Sequence, residues 1–180
     1  IILVFFVSNI ATAQKHFTKT GLTTFKASVD AFEPIEAKNE STTVILNTKT
    51  GAIAALLFVK AFHFEIALMQ EHFNENYMDS DKFPKATFKG EITNLAAIDF
   101  AKNGTYEAKI KGDLTIHGKT QTVETTGQFI VNDGQISGNS TFSVLVADYG
   151  IEIPAVVREN IAKEVEIKVA CDYQELKGKS

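Results

Sequence analysis

The chain has 180 residues, 44% of them hydrophobic and 22% charged, with a net charge of −4 at pH 7. That length bounds it to one domain with room for a short targeting segment, and the acidic balance excludes a nucleic-acid surface, which needs a basic excess. A single cysteine excludes an internal disulfide, and the aromatic content is lopsided, with 14 Phe, 4 Tyr and no Trp.

Residues 1–13 form an apolar run ending in Ala11-Thr12-Ala13, the small-x-small pattern of a signal-peptidase site. The run is too short to span a bilayer, which takes about 20 apolar residues. The expected organisation is a signal peptide over 1–13, truncated at its start because no Met or basic segment precedes it, and a folded domain over 14–180. A buried first strand is the competing reading of the same run.

From Phe25 the residues alternate. Phe25, Ala27, Val29 and Ala31 face one way and Lys26, Ser28 and Asp30 the other, which predicts a half-buried strand. Thr42 to Thr48 is β-branched and reads as a second strand, closed by a turn at Thr50-Gly51. Ala52 to Leu57 reads equally as strand or helix. Ala61 to Leu68 is expected to be an aromatic strand, because Phe62, Phe64 and Ile66 alternate with His63 and Glu65. The alternation stops at Leu68, and Phe73 and Tyr77, four apart, suit a short helix or helical turn before Met78. Phe83-Pro84 then sets an extended lead into the next strand, since the residue before proline disfavours helix.

Four further strands are predicted over 85–93, 105–116, 121–131 and 135–147, each with apolar residues at every second position. Asn103-Gly104, Gly118-Lys119 and Asp133-Gly134 lie between them as turns. Pro154 to Ala162 reads as a short helix with proline near its first turn, and Glu164 to Tyr173 as the final strand. In that strand Cys171 shares the apolar face with Val165, Ile167, Val169 and Tyr173, which suits a buried structural thiol.

About eight mostly antiparallel strands, each apolar on one face, require one dry interior, as in a barrel or a sandwich. Ala86, Gly90, Ala108, Gly112, Gly127 and Gly138 fall on inward positions. These small residues either leave room for a ligand or are filled by neighbouring phenyl rings, and the two readings weigh equally at this stage.

Catalytic patterns are missing. The four histidines include no His-Glu-x-x-His pair, and there is no nucleophile elbow, phosphate loop or dinucleotide fingerprint. His63 and Glu65 would share a strand face and need a third ligand to hold a metal; an exposed strand pair is the plainer reading. His117 sits in a turn and is expected to stabilise it.

Two segments carry a family likeness. Lys82-Phe83-Pro84-Lys85-Ala86-Thr87-Phe88 and Gly112-Asp113-Leu114-Thr115-Ile116-His117-Gly118-Lys119-Thr120 together resemble the YceI-like family of secreted bacterial proteins. A weaker match lies between Asn74 and Asp79, and Asp148-Tyr149-Gly150-Ile151 also fits. The likeness covers roughly residues 17 to 173. The chain departs from it after the His-Gly turn, where Thr120-Gln121-Thr122-Val123 lacks the usual proline, and at Met69-Gln70-Glu71-His72-Phe73.

The resemblance implies an all-β fold, an eight-stranded antiparallel lipocalin-like barrel with one or two short helices. It implies a periplasmic or secreted bacterial protein that sequesters or carries a long apolar ligand, isoprenoid or fatty, and is not an enzyme. No metal or other cofactor is expected, only that apolar ligand; neither a nucleic acid nor a transmembrane span is expected, and a homodimer is compatible. Face alternation then nominates Phe25, Phe62, Phe64, Phe88, Tyr106, Ile110, Phe129, Phe142 and Val144 as cavity lining. Phe73, Tyr77 and Met78 would form a flap at the mouth, with Asn74 or Asn76 meeting a ligand head group. The alternative is a non-catalytic, stress-related interaction module whose core is filled.

Overall fold

A computed structural model describes residues 15–28, 34–157, 159 and 161–176. The expected signal peptide and the expected end of the first strand, Val29 to Ala31, lie outside the described residues.

Eight antiparallel strands close into a barrel in strict sequence order. They are β1 (Lys15–Ser28), β2 (Glu36–Asn47), β3 (Ala52–Phe58), β4 (Lys85–Ile92), β5 (Gly104–Ile116), β6 (Lys119–Asn132), β7 (Gln135–Leu145) and β8 (Ile161–Glu175). β8 pairs back onto β1, with Phe25 opposite Ile167 and Leu22 opposite Ala170, so no sheet edge is left unpaired. Two hairpin turns are tight. Asp133 and Gly134 sit at φ 48° and 79°, and His117 and Gly118 at 50° and 71°. Positive φ at both central residues is the geometry whose twist matches that of paired strands.

The barrel has two unlike ends. At the base, the 93–103 connection folds Leu95, Ile98 and Phe100 against Leu46, Ile53 and Val131. Leu46 and Ala108 are fully shielded there, and each fully buried aliphatic side chain of leucine size contributes about 1.5–3 kcal/mol. The mouth is framed by the 59–84 connection, the His117-Gly118 turn and the 146–160 connection. The first of these carries one short helix, α1 (Ala67–His72), which runs on into a π-helical turn, Phe73–Tyr77.

Three expectations need correction. Ala61 to Leu68 is not a strand: only His63 makes a sheet-like bridge, to Lys38, and Ala67 already begins α1. The strand is instead Ala52–Phe58. The helix expected over Pro154 to Ala162 shrinks to a 3-10 turn at Ala155–Val157, closed by the Val157 N–H donating to the Pro154 carbonyl at 3.1 Å. The seventh strand stops at Leu145, and Val146–Tyr149 turns as a 3-10 segment.

Inward glycines set how the rings pack. Gly90 and Gly112 are partners across β4 and β5. A Cβ on Gly112 would lie 2.5 Å from the Gly90 Cα and 2.6 Å from Cζ of Phe88. The Phe88 ring therefore lies over the bare backbone of this pair. Likewise a Cβ on Gly138 would meet the Phe129 ring at 2.9 Å. Gly112→Ala should thus cost about 1–3 kcal/mol, the range for overpacking a tight interior. Thermal unfolding should record a Tm lower by roughly 2–4 °C per kcal/mol lost. An unchanged Tm would mean the ring does not rest on the glycine pair.

Candidate functional site

Above the packed base the lumen is hollow. It encloses a cavity of about 470 Å³, within the ~300–1,000 Å³ span of small-molecule sites. The inward glycines and phenyl rings thus do both things expected of them: Phe129 and its neighbours fill the lower barrel, and space remains above.

Every residue expected to line this space does so except Tyr106. Phe25 comes from β1, Phe88 from β4, Ile110 from β5, Phe129 from β6, and Phe142 with Val144 from β7. Phe62, Phe64, Phe73, Tyr77 and Met78 come from the 59–84 connection. Tyr106 stands opposite Phe129 on β5 but belongs to the base. Its hydroxyl donates to the Lys102 carbonyl at 2.9 Å, and its ring covers Gly104. The alternating pattern reported its face correctly and could not report its depth.

Other lining residues carried no periodic signal. Ile35, Met69, Ile151, Ile153 and Val157 reach the cavity from connections. Val165 and Ile167 lie in the predicted last strand and also line it, consistent with the face they share. Asn74 and Asn76 do not line it. Asn74 faces a shallow groove on the outer side of α1, its amide donating to the Gln70 carbonyl at 2.9 Å, and Asn76 is exposed.

A cluster of phenyl rings clamps the mouth. Phe73 lies 5.3 Å from Phe25, 5.7 Å from Phe62 and 5.1 Å from Phe64, centre to centre. Phe25 in turn meets Phe62 at 5.2 Å and Phe64 at 5.8 Å. Such offset and edge-on pairs add about 0.5–1.5 kcal/mol each beyond area burial. They tie the helical segment to β1, the first strand of the barrel. Polar bonds back them. Buried Asn39 donates to the Phe58 carbonyl at 3.0 Å, and the Phe64 N–H donates to Oε1 of Gln70 at 3.2 Å. Across the mouth, the His117 Nδ1–H donates to the Tyr149 carbonyl at 3.1 Å, and Phe83 packs edge-on against the imidazole at 4.6 Å. His117 is therefore a rim staple as well as a turn residue.

The wall is chemically quiet. No Asp, Glu, Lys or Arg lines the cavity among the described residues. No group of three His, Cys, Asp or Glu among them could hold a metal ion, and His63 contributes its backbone, not its imidazole, to the bridge with Lys38. Besides hydroxyls, the polar residues in the wall are His72, Asn139 and Cys171; among the hydroxyls, Thr23 and Thr42 lie 2.8 Å apart and Ser140 donates to the Thr126 carbonyl at 2.8 Å. Cys171 reaches the cavity floor, and burial pushes its thiol up to about 11, against a smaller opposing effect from its hydrogen bond with Tyr173. Burial likewise raises the Tyr77 phenol.

The YceI-like domain family matches residues 7–173. No curated protein sequence matches the chain. Among solved structures, a polyisoprenoid binding domain from Saccharophagus degradans, implicated in plant cell wall breakdown, superposes with a TM-score of 0.78 at 13% identity, covering 92% of this chain and 100% of that one. BcnA of Burkholderia cenocepacia gives 0.68 at 18% identity over 85% and 96%. The Campylobacter jejuni YceI protein gives 0.52 at 12% over 97% and 93%. At these identities the likeness is one of fold, and it agrees with the closed eight-stranded barrel.

A thiol with its pKa near 11 is protonated at pH 8.5, where about half of an ordinary cysteine is thiolate. Alkylation of Cys171 in the folded protein at that pH should run more than about a hundredfold slower than in denaturant, because only the thiolate attacks. Rates within a few-fold of each other would show that the thiol is neither buried nor shifted.

Proposed function

The chain belongs to the YceI-like domain family, and on that premise we propose that it binds a long apolar molecule inside its barrel and shields it from water. The observation that carries this reading is a hollow lumen of about 470 Å³ whose described wall holds no Asp, Glu, Lys or Arg. Its neighbour from Saccharophagus degradans is a polyisoprenoid binding domain, and an isoprenoid or fatty chain is the ligand class we assign here.

Burial is the mechanism. Each Å² of apolar surface removed from water is worth about 25 cal/mol, which must exceed the loss of ligand motion. The lining supports an extended guest. It runs along β8 from Ile161 to Tyr173, a reach of about 40 Å at ~3.3 Å per residue and about 30 Å along the axis once strand tilt is allowed for. Quiet chemistry supports binding without turnover. With the Cys171 thiol held protonated at the floor, His72 at the mouth, and no carboxylate or ammonium in the described wall, the lumen does not bring a nucleophile and a base together at neutral pH.

We further place the protein outside the bacterial cytoplasm, as a periplasmic or secreted carrier. The support is the secretory pattern of residues 1–13 and the single cysteine. Among the described residues no helix is long and apolar enough to cross a membrane.

A prenyl chain bearing a dansyl group provides the test, and the absence of Trp leaves its fluorescence unmasked. Saturable uptake at one probe per chain is expected. Ala55→Phe sets a ring into the mid-lumen between Val44 and Phe88, its partners on β2 and β4. It should weaken uptake by about tenfold or more, the equivalent of ~1.4 kcal/mol. Wild-type protein that takes up no probe, or a variant that binds as well as wild type, would overturn the reading.

A further inference from the structure

The wall of the lumen is not uniform, and its asymmetry bears on what the guest looks like. Along β3, β4 and β5 it is apolar but for Thr87, with Ala55, Phe88 and Ile110 facing in. On the other side, Thr42 on β2, Thr23 on β1, Cys171 on β8 and Ser140 on β7 also reach the cavity. These four strands are hydrogen-bonded neighbours, and the register sets Thr23 and Ser140 each opposite Val169 of β8. Thr23, Thr42 and Ser140 therefore form one arc at mid-depth, below Phe25 at the mouth, with Cys171 at the floor beneath them.

Within that arc one place stands out. β1 carries a bulge spanning Thr18, Gly21 and Thr23. Its Gly21 has no side chain where a Cβ would lie 2.9 Å from the Thr42 carbonyl oxygen and 3.1 Å from Sγ of Cys171. The bulge brings the Thr23 and Thr42 hydroxyls to 2.8 Å, although the two residues are 4% and 3% exposed. One bond between two hydroxyls uses one of their two hydrogens. The other finds no acceptor among the described residues. A buried donor without an acceptor costs free energy until something supplies one. Ser140 differs, since its hydroxyl already donates to the Thr126 carbonyl.

We propose that the Thr23–Thr42 hydroxyl pair, which faces the lumen beside the β1 bulge, is a polar subsite for the neutral, hydrogen-bond-accepting end of the guest. It takes an alcohol, carbonyl or amide oxygen. The inference rests on the lumen being the binding site. The guest then lies head-down, its oxygen at mid-barrel and its chain running up between the mouth phenyls. A carboxylate or phosphate is rejected at this depth, because the described wall holds no cation to compensate its lost hydration.

Geranylgeraniol and the hydrocarbon of the same chain, each displacing the dansyl-prenyl probe, test this. Burying the alcohol's own hydroxyl carries a desolvation cost that the hydrocarbon is spared, so the readout is the change in each affinity on substitution. Thr23→Val/Thr42→Val should weaken the alcohol by about tenfold, the worth of one hydrogen bond to a buried donor, while holding the hydrocarbon as tightly as wild type. Replacing both partners by apolar groups of the same shape is near neutral for folding, which a Tm measurement confirms. Phe73→Ala should weaken both guests together. A double variant that holds the alcohol as tightly as wild type overturns the subsite and leaves the lumen as a general apolar site. Failure of wild type to bind either guest overturns the lumen reading, and the subsite with it.

Discussion

Everything in this molecule depends on phenyl rings packed against bare backbone. A barrel of eight strands has an interior only just wide enough for its own side chains. An inward phenyl on every strand would close it. Where Phe88 rests on Gly90 and Gly112, and Phe129 on Gly138, the ring occupies volume that a neighbouring side chain would otherwise take. Phe129 completes the base, while Phe88 lines the hollow part. Both rings thus need a glycine beneath them to fit, one at the base and one beside the hollow.

The mouth is built on a different principle. The closed ladder of backbone hydrogen bonds holds the strands, but the 59–84 connection pairs with the sheet only through His63 and Lys38. Side-chain packing must hold the rest of it. The cluster of Phe25, Phe62, Phe64 and Phe73 does this, with Asn39 anchoring the end of β3. A segment held by rings and a few hydrogen bonds opens at lower free energy than a strand in a ladder. That places the least costly opening of the molecule directly over the cavity, where a guest must pass.

Much of this was legible in the sequence, and the failures have physical causes. β4 to β7 read correctly because each has a wet face and a dry one, which writes a period of two. β3 was ambiguous because Ala52, Ala54 and Leu56 put no charge on either face. Phe62 and Phe64 mimicked a strand because both rings turn toward Phe25 and Phe73, not because their backbone is paired. The first half of β1 was hidden by the bulge at Gly21, which shifts the inward face from Thr18 to Thr23. Depth along the axis, which separates Tyr106 from Ile110, has no signature in alternation. Lining from connections, as with Ile151 and Val157, depends on where a loop lands rather than on any period.

The account stands or falls on whether the lumen holds a guest in its native setting. Native mass spectrometry of the protein purified gently from its own host measures this directly. The account predicts a population carrying one neutral lipid per chain, released as the gas-phase complex is activated. A bare polypeptide under those conditions, which also stays bare after incubation with prenyl alcohols, would contradict it.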